Sequence, residues 1–307
     1  MEQLTNTLLM IRPSCFGFNE ETSSSNSFQK KTSLENVQQQ ALKEFDDFVS
    51  VLRENKIDVW VYDDDANSKT PDAIFPNNWI SFHGNKICVY PMLAENRRRE
   101  RREELVDELK RRTKISEMED FTDFEDNNLF LEGTGSLVLD RKNKVAYANL
   151  SSRTSETMVN IWCNENEFAS VVFSSTKEIY HTNVIMSIGE TVAVICADVI
   201  RDSNELISSL EKTHRLIFIS EEQMNHFAGN LLQVKSNRVP SNAEEQLTGD
   251  TVADTRFWLM STSAFNILTE EQKNILSTDS TILHSPLTTI ETVGGGSARC
   301  MMAEVFK

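Results

Sequence analysis

The feature that most restricts the fold is a hairpin that keeps returning. ISFH-GN-KICVY, SLVLD-RKN-KVAYAN and VIMSI-GE-TVAVICA each set two short apolar strands around a polar turn, and LLQV-KSNR begins a fourth. The turns fall near positions 84, 142, 189 and 236, about 47 to 58 residues apart. That interval holds a hairpin, a helix and one further strand. The repeat is structural only, with no residue pattern in common. Periods of this size belong to radial arrays and solenoids rather than to two stacked domains. The C-terminal ARCMMAEVF and the N-terminal TLLMIRP supply a fifth unit, which would close a ring by joining the chain ends. The pattern therefore predicts one α/β propeller-like domain over residues 1–307. A doubly wound parallel sheet is the alternative, but hairpins are not its building block.

Between the hairpins, QQALKEFDDFVSVLREN places Leu42, Phe45, Phe48, Val51 and Leu52 on one helical face. A strand, DVWVYD, follows it, and helices are expected over 155–168, 203–213 and 269–276. The Ser/Asn/Thr-rich stretch 19–36 reads as a loop ahead of the first helix. AENRRRERREELVDELKRRT interleaves Glu with Arg at helical spacing, which predicts a solvated helix with internal ion pairs rather than a binding patch.

Charge and cysteine usage exclude several function classes. A formal net charge of −16 over 307 residues argues against a nucleic-acid partner, which requires a cationic footprint. No stretch approaches the roughly 18 apolar residues of a membrane span, and MEQLTNTLLMIRP lacks a signal-peptide layout. Cys15, Cys88, Cys163, Cys196 and Cys300 are odd in number, scattered and never CxxC. They suit reduced thiols in a cytoplasmic protein and disfavour a zinc site or a disulfide framework.

Five stretches carry candidate chemistry. GGGSARC leads three glycines, which permit close backbone approach, straight to Cys300 on an apolar strand. A thiol shown at the end of such a loop is a plausible nucleophile; the plainer reading is a buried Cys after a flexible turn. Its neighbour Arg299 joins the substrate-binding candidates. YHTNVIMSIG places His181 just before a strand, where an imidazole can activate a thiol and protonate a leaving amine. His226 in QMNHFAGN is its competitor, while His83, His214 and His284 read as surface or structural. FLEGTGSL carries Glu132 on a Gly-rich turn against a strand, and NLSSRTS sets Arg153 at a strand-to-helix junction, where its planar fork could clamp a carboxylate. Plainer readings of both are a surface carboxylate and a solvated arginine in a capping segment. PDAIFPNNWIS places Asn77 and Asn78 between Phe75 and Trp79, as either an exposed turn or amides set in a pocket.

Taken in order, PDAIFPNNW, LEGTG, SSRTS, HTNV and GGGSARCM resemble the guanidine-modifying superfamily, the penteins. These comprise arginine deiminases, dimethylarginine hydrolases and amidinotransferases. The chain looks most similar to the amidinotransferase-like, citrulline-utilisation hydrolase group, through IRPSCFGFNEET, FPNNW, HTNV and NHFAGN. The resemblance spans essentially the whole chain. It implies a five-bladed α/β propeller of ββαβ repeats with pseudo-fivefold symmetry, agreeing with the hairpin period. It also implies Cys300 as nucleophile, His181 as general acid/base, Glu132 holding the NH groups of the substrate's planar head, and Arg153 gripping an α-carboxylate. Asn225 and Asn230 become structural or loop-positioning, and His226 moves behind the site. No metal or organic cofactor is implied. The partner is a small amino-acid substrate, and a homodimer is possible.

Two departures bear on the substrate. Arginine deiminases carry aspartates, in FTRD-type and HLDT motifs, where this chain has Asn78 and Asn183. Amides match a neutral ureido group, which offers both an acceptor and donors, better than a guanidinium cation. A carboxylate buried against a neutral ligand would cost several kcal/mol or be protonated, on the order expected for an unpaired charge. The implied reaction is attack of a Cys300 thiolate, stabilised by protonated His181, on the ureido carbon of citrulline or a close derivative. An S-carbamoyl intermediate then hydrolyses, giving ornithine, ammonia and carbon dioxide. Two readings compete: the same chemistry on a guanidine substrate (deimination, methylarginine hydrolysis or amidine transfer), and a catalytically silent pentein that binds a partner.

Overall fold

The computed structural model describes residues 1–33, 35–236 and 255–306. Among these, fifteen strands form five three-stranded sheets, every one built on the same plan. In the first, β3 (Ile80–His83) runs antiparallel to β4 (Lys86–Val89), and β5 (Glu117–Asp120) adds parallel to β4. The parallel addition requires a crossover, here carried by the helix Glu103–Thr113. β6 (Leu137–Asp140), β7 (Val145–Leu150) and β8 (Ala169–Ser174) repeat the order around the helix Glu156–Asn166. β9 (Met186–Ile188), β10 (Val192–Ile195) and β11 (Arg215–Phe218) do so around Asn204–Leu210.

In the fourth sheet β12 (Leu232–Lys235) pairs antiparallel with β13 (Arg256–Ser261), and β14 (Thr281–Ser285) joins parallel after the helix Glu270–Leu276. The turn expected near 236 falls largely outside the described residues. The fifth sheet joins the two ends of the chain. β15 (Ala303–Glu304) runs antiparallel to β1 (Thr7–Arg12), with Leu9 opposite Ala303, and β2 (Asp58–Asp63) lies parallel to β1. This is the five-bladed α/β propeller of ββαβ units expected from the hairpin period.

Burial sorts the strands by radius. β3 and β6 are buried at every position, and β9 and β15 likewise, so these first strands form the inner ring. β5, β8, β11 and β14 have at most one buried position each and form the rim. The helices pack their apolar stripes onto the sheets. In Val37–Glu54 the buried face is Ala41, Phe45, Phe48, Val49 and Leu52, which meets Val59, Phe257 and Leu259. Leu42 and Val51, expected on that face, are only half-buried, because the stripe is turned toward Ala41 and Val49.

The basic stretch departs more sharply from expectation. It is not one solvated helix: a single turn, Glu95–Arg98, precedes Glu103–Thr113, and Arg97 is fully buried. Burial is possible because Glu100, three residues on, is buried beside it and pairs with its fork. His83 and His214, expected at surface or structural ends, are both buried. No helix among the described residues is long and apolar enough to cross a membrane.

One further regularity places the site. Four of the inner strands are entered through a single helical turn: Pro76–Asn78 before β3, Gly133–Ser136 before β6, Thr182–Ile185 before β9 and Ala298–Met301 before β15. These turns pack on one another around the axis. Side chains far apart in sequence are thereby delivered to one end of the ring.

Candidate active site

Cys300 is held by its own loop. The turn Ile290–Gly294 passes into Gly295, whose φ of +64° is left-handed and where a Cβ would lie 2.7 Å from Asn26 Nδ2. Only glycine tolerates both the conformation and the contact. Ser297 then donates its hydroxyl to Glu291 at 2.6 Å, and its carbonyl accepts the Cys300 N–H at 3.0 Å. The sulfur is 3.4 Å from Asn230 Nδ2 and 3.8 Å from Asn183 Nδ2. Burial pushes the thiol's pKa up, against the Ser297, Asn230 and Asn183 donors and the Arg299 charge, which all favour the thiolate.

His181 stands at the entry to its turn, with Nε2 2.8 Å from Glu132 Oε2. Glu132 also accepts from Arg153 Nη1 at 3.4 Å and from the Leu93 N–H at 3.2 Å. Burial would raise its pKa, but Arg153, His181 and Arg97 override it and hold the carboxyl ionised, at about 2. Burial, aided by Arg153 and Arg97, depresses His181 to about 4 despite the Glu132 hydrogen bond. The imidazole is therefore neutral at rest. An ionised carboxylate can only accept, so the Nε2 facing it carries the proton. That leaves Nδ1, which is buried without a partner among the described residues, as a free base. Burial of both groups thus acts against the expected resting pair of thiolate and imidazolium.

A small cavity of about 10 Å³ lies beside the sulfur, walled by Cys300, His181, Asn78, Arg97, Arg153 and Asp72 among others. Arg97 donates from Nε and Nη2 to Glu100 at 2.8 and 2.9 Å, and from Nη1 to Asn78 Oδ1 at 2.7 Å. Asn78 Nδ2 in turn donates to Asn77 Oδ1 at 3.0 Å. Arg153 donates to Ser25 Oγ and to the Thr22 carbonyl, and so ties segment 19–29 over the cavity. Asn26 and Gln29 of that segment reach the carbonyls of Gly295 and Gly294. Asp72 accepts from Asn19 at 2.8 Å and Thr22 at 3.0 Å, both neutral donors. Among the described residues no group of three His, Cys, Asp or Glu side chains is placed to hold a metal ion.

Set against the expectations, Cys300, His181, Glu132, Arg153, Asn77 and Asn78 do converge. Asn183 converges too, but onto the sulfur rather than beside Asn78 in the cavity wall. Glu132 already accepts from His181, Arg153 and the Leu93 N–H, with one acceptor site of Oε1 left over by the count of about four per carboxylate. Arg299 is turned away: its guanidinium pairs with Glu304 at 2.7 Å and with the Met302 carbonyl. The chain direction of the turn Ala298–Met301 points consecutive side chains to different sides, so Arg299 and Cys300 cannot share the cavity.

Three site residues escaped the motifs. Asn230, read as loop-positioning, touches the sulfur; the clue was its place just ahead of β12, matching Cys300 ahead of β15. Arg97 and Asp72 carried no signal beyond an acidic residue three positions from Arg97 and proximity to FPNNW. His226, the competing histidine, is exposed and away from the cavity wall.

Comparisons with known proteins agree with the fold. The N-terminal domain of ArgZ, a cyanobacterial arginine dihydrolase solved with bound substrate, superposes with a TM-score of 0.74 at 16% identity, covering 98% of each chain. AgrE, solved with ornithine and NAD+, has a TM-score of 0.74 at 18% identity over 98% of this chain and 39% of its own. DDAH from Pseudomonas aeruginosa, a cysteine-to-serine mutant complexed with citrulline, has a TM-score of 0.65 at 13% identity, covering 98% and 99%. No curated protein sequence matches. The family model for eukaryotic N,N-dimethylarginine dimethylhydrolase matches residues 12–307. The chain therefore belongs to the N,N-dimethylarginine dimethylhydrolase family, within the guanidine-modifying penteins.

Proposed function

We propose that this protein is a single-domain cytoplasmic hydrolase that uses Cys300 to cleave the ureido group of citrulline or a close derivative. The observation that carries the reading is that the groups nearest the thiol and imidazole are amides, Asn183 and Asn230 on the sulfur and Asn78 beside the His181 ring, with Asp72 as the free carboxylate of the wall. Glu132 is already paired with Arg153, and Glu100 with Arg97. Asp72 forms no ion pair among the described residues and suits an α-ammonium. Arg97 and Arg153 each keep one Nη1 hydrogen for an α-carboxylate, by the count of five donors per guanidinium.

In the reaction, His181 Nδ1 takes the Cys300 proton as the sulfur adds to the ureido carbon, and Glu132 stabilises the imidazolium. The amide N–H groups of Asn183 and Asn230 hold charge on the sulfur, and donors on the cavity wall hold it on the oxygen. His181 returns the proton to the departing δ-nitrogen, releasing ornithine and leaving Cys300–S–C(O)NH2. Water deprotonated by His181 then cleaves the thiocarbamate, freeing the Cys300 thiol, and the released carbamate decays to ammonia and carbon dioxide. One water is consumed per citrulline. Segment 19–29 must lift for substrate to enter, since Cys300 is only 3% exposed.

A second reading has support from the family and from ArgZ: arginine or a methylated arginine as substrate. Incubation with citrulline and with arginine, followed by assay of ornithine, citrulline and ammonia, separates the two. Ornithine from citrulline that is lost in Cys300→Ala supports the first reading. Citrulline accumulating from arginine, with no turnover of citrulline itself, overturns it.

A further inference from the structure

The orientation of Asn78 is not a free choice. Its Oδ1 sits 2.7 Å from Arg97 Nη1, and a guanidinium can only donate, so the carbonyl end must face Arg97. Its nitrogen then points the other way, 3.0 Å from Asn77 Oδ1, and that leaves Asn77 Nδ2 buried without a partner among the described residues. The polarity runs in one direction from the charge through both amides. Asn78 Nδ2 and the His181 ring also converge over Gly135: an added Cβ there would lie 2.5 Å from Asn78 Nδ2 and 2.7 Å from His181 Nδ1. The donor end of the amide is thus the one beside the acid/base group.

What keeps Arg97 in place is Glu100. It grips Nε and Nη2 at 2.8 and 2.9 Å, and Nη2 also reaches the Phe75 carbonyl at 3.2 Å, so the fork cannot rotate. Both side chains are almost fully buried. Nothing in the reaction above uses Glu100. We propose that Glu100 is a positioning residue for specificity: by locking Arg97 it holds Asn78 with its NH2 toward the reacting group, which selects a head group offering an oxygen there over a guanidinium. The inference rests on the ureido reading above, and it names the device that enforces it. Without the Glu100 carboxylate, Arg97 can swing off Asn78, the amide can invert, and its oxygen can accept from a guanidinium.

The test compares wild type with Glu100→Gln, and with Glu100→Asp, which keeps the charge at shorter reach. Relative kcat/KM for citrulline and arginine is measured, along with the side-chain amide resonances of Asn78 in protein labelled with 15N-asparagine. The expected result is a fall of about tenfold or more in the citrulline preference of Glu100→Gln, with a shifted Asn78 resonance and partial rescue in Glu100→Asp. A purely structural role would lower both activities together and leave the ratio alone. An unchanged ratio with an unchanged Asn78 resonance overturns the proposal. If wild type turns over neither compound, the functional reading has failed separately, and the resonance alone decides whether Glu100 sets the amide. Should both Glu100 variants misfold, Asn78→Asp takes their place: a carboxylate oxygen toward the cavity should shift preference to arginine by about tenfold or more, and no shift sinks the idea.

Discussion

Gly135→Ala tests the convergence of the site with the smallest possible perturbation. Gly135 lies inside the helical turn Gly133–Ser136, so alanine meets no backbone objection and gains up to about 1 kcal/mol in helix propensity. Its methyl carbon, however, would stand 2.5 Å from Asn78 Nδ2 and 2.7 Å from both His181 Cε1 and Nδ1. Ordinary contact begins at about 3.5 Å, so each group must retreat by about 1 Å. Neither can do so freely, because Asn78 is tied to Arg97 and Asn77, and His181 to Glu132. Overpacking of this kind costs about 1–3 kcal/mol, which exceeds the propensity gain and lowers Tm by a few degrees. The larger effect is on chemistry: a displacement of about 1 Å in the acid/base group lowers kcat about a hundredfold. Gly17→Ala is the control, since no described atom lies within 4 Å of its added Cβ. Ornithine release is assayed for both variants beside thermal unfolding. Wild-type kcat and Tm in Gly135→Ala would refute the claim that His181 and Asn78 meet over this glycine.

Removing the carboxylate partner should move the histidine. In Glu132→Gln, His181 loses the interactions that raise its pKa, so the imidazolium formed during attack is less stable; kcat falls by about 10²–10⁴-fold while Cys300 alkylation persists. Acid stability follows from the same pair. The folded pKa of His181 is depressed to about 4, so the unfolded chain binds the extra proton, and stability drops as pH falls from about 6.5 toward 4. Glu132, depressed to about 2, adds a loss that begins below its unfolded value of 4.5 and is complete near pH 2; Glu100 and Glu291, raised by burial to about 7, oppose the His181 loss between about 7 and 4.5, so it is below about pH 4.5 that urea titrations should slope downward. Arg97→Ala leaves Glu100 buried and unpaired and should cost about 3–5 kcal/mol in urea unfolding, whereas the apolar pair Arg97→Met with Glu100→Leu should recover most of it.

Much of the architecture was legible because it is local. Paired apolar runs around GN, RKN and GE announce antiparallel hairpins, and the helix Val37–Glu54 shows its stripe. The rim strands were not legible. β5 is EMED, exposed at most positions and held by pairing with β4 rather than by burial, so it has no apolar alternation to read. The basic stretch misled for a related reason. Its interleaved charges describe a solvated helix equally well whether or not one arginine and one glutamate turn inward as a pair.

By itself the sequence determined the repeat and the joining of the chain ends, and its ordered motifs singled out a thiol, an imidazole, a carboxylate and amides as candidates. The repeat rests on short-range pattern, and the candidates on the resemblance of those motifs to the guanidine-modifying family. Only the tertiary structure decided how those groups are paired. It turned Glu132 to His181, set Asn183 and Asn230 on the sulfur, sent Arg299 to Glu304, and brought Arg97 with Glu100 in behind Asn78. The physical reason is that hydrogen-bond direction and charge pairing depend on which groups packing brings together: Glu132 with His181 and Cys300 with Asn183 and Asn230 are about 50 to 120 positions apart, and even the near pairs Arg97–Glu100 and Arg299–Glu304 form only because both partners turn inward.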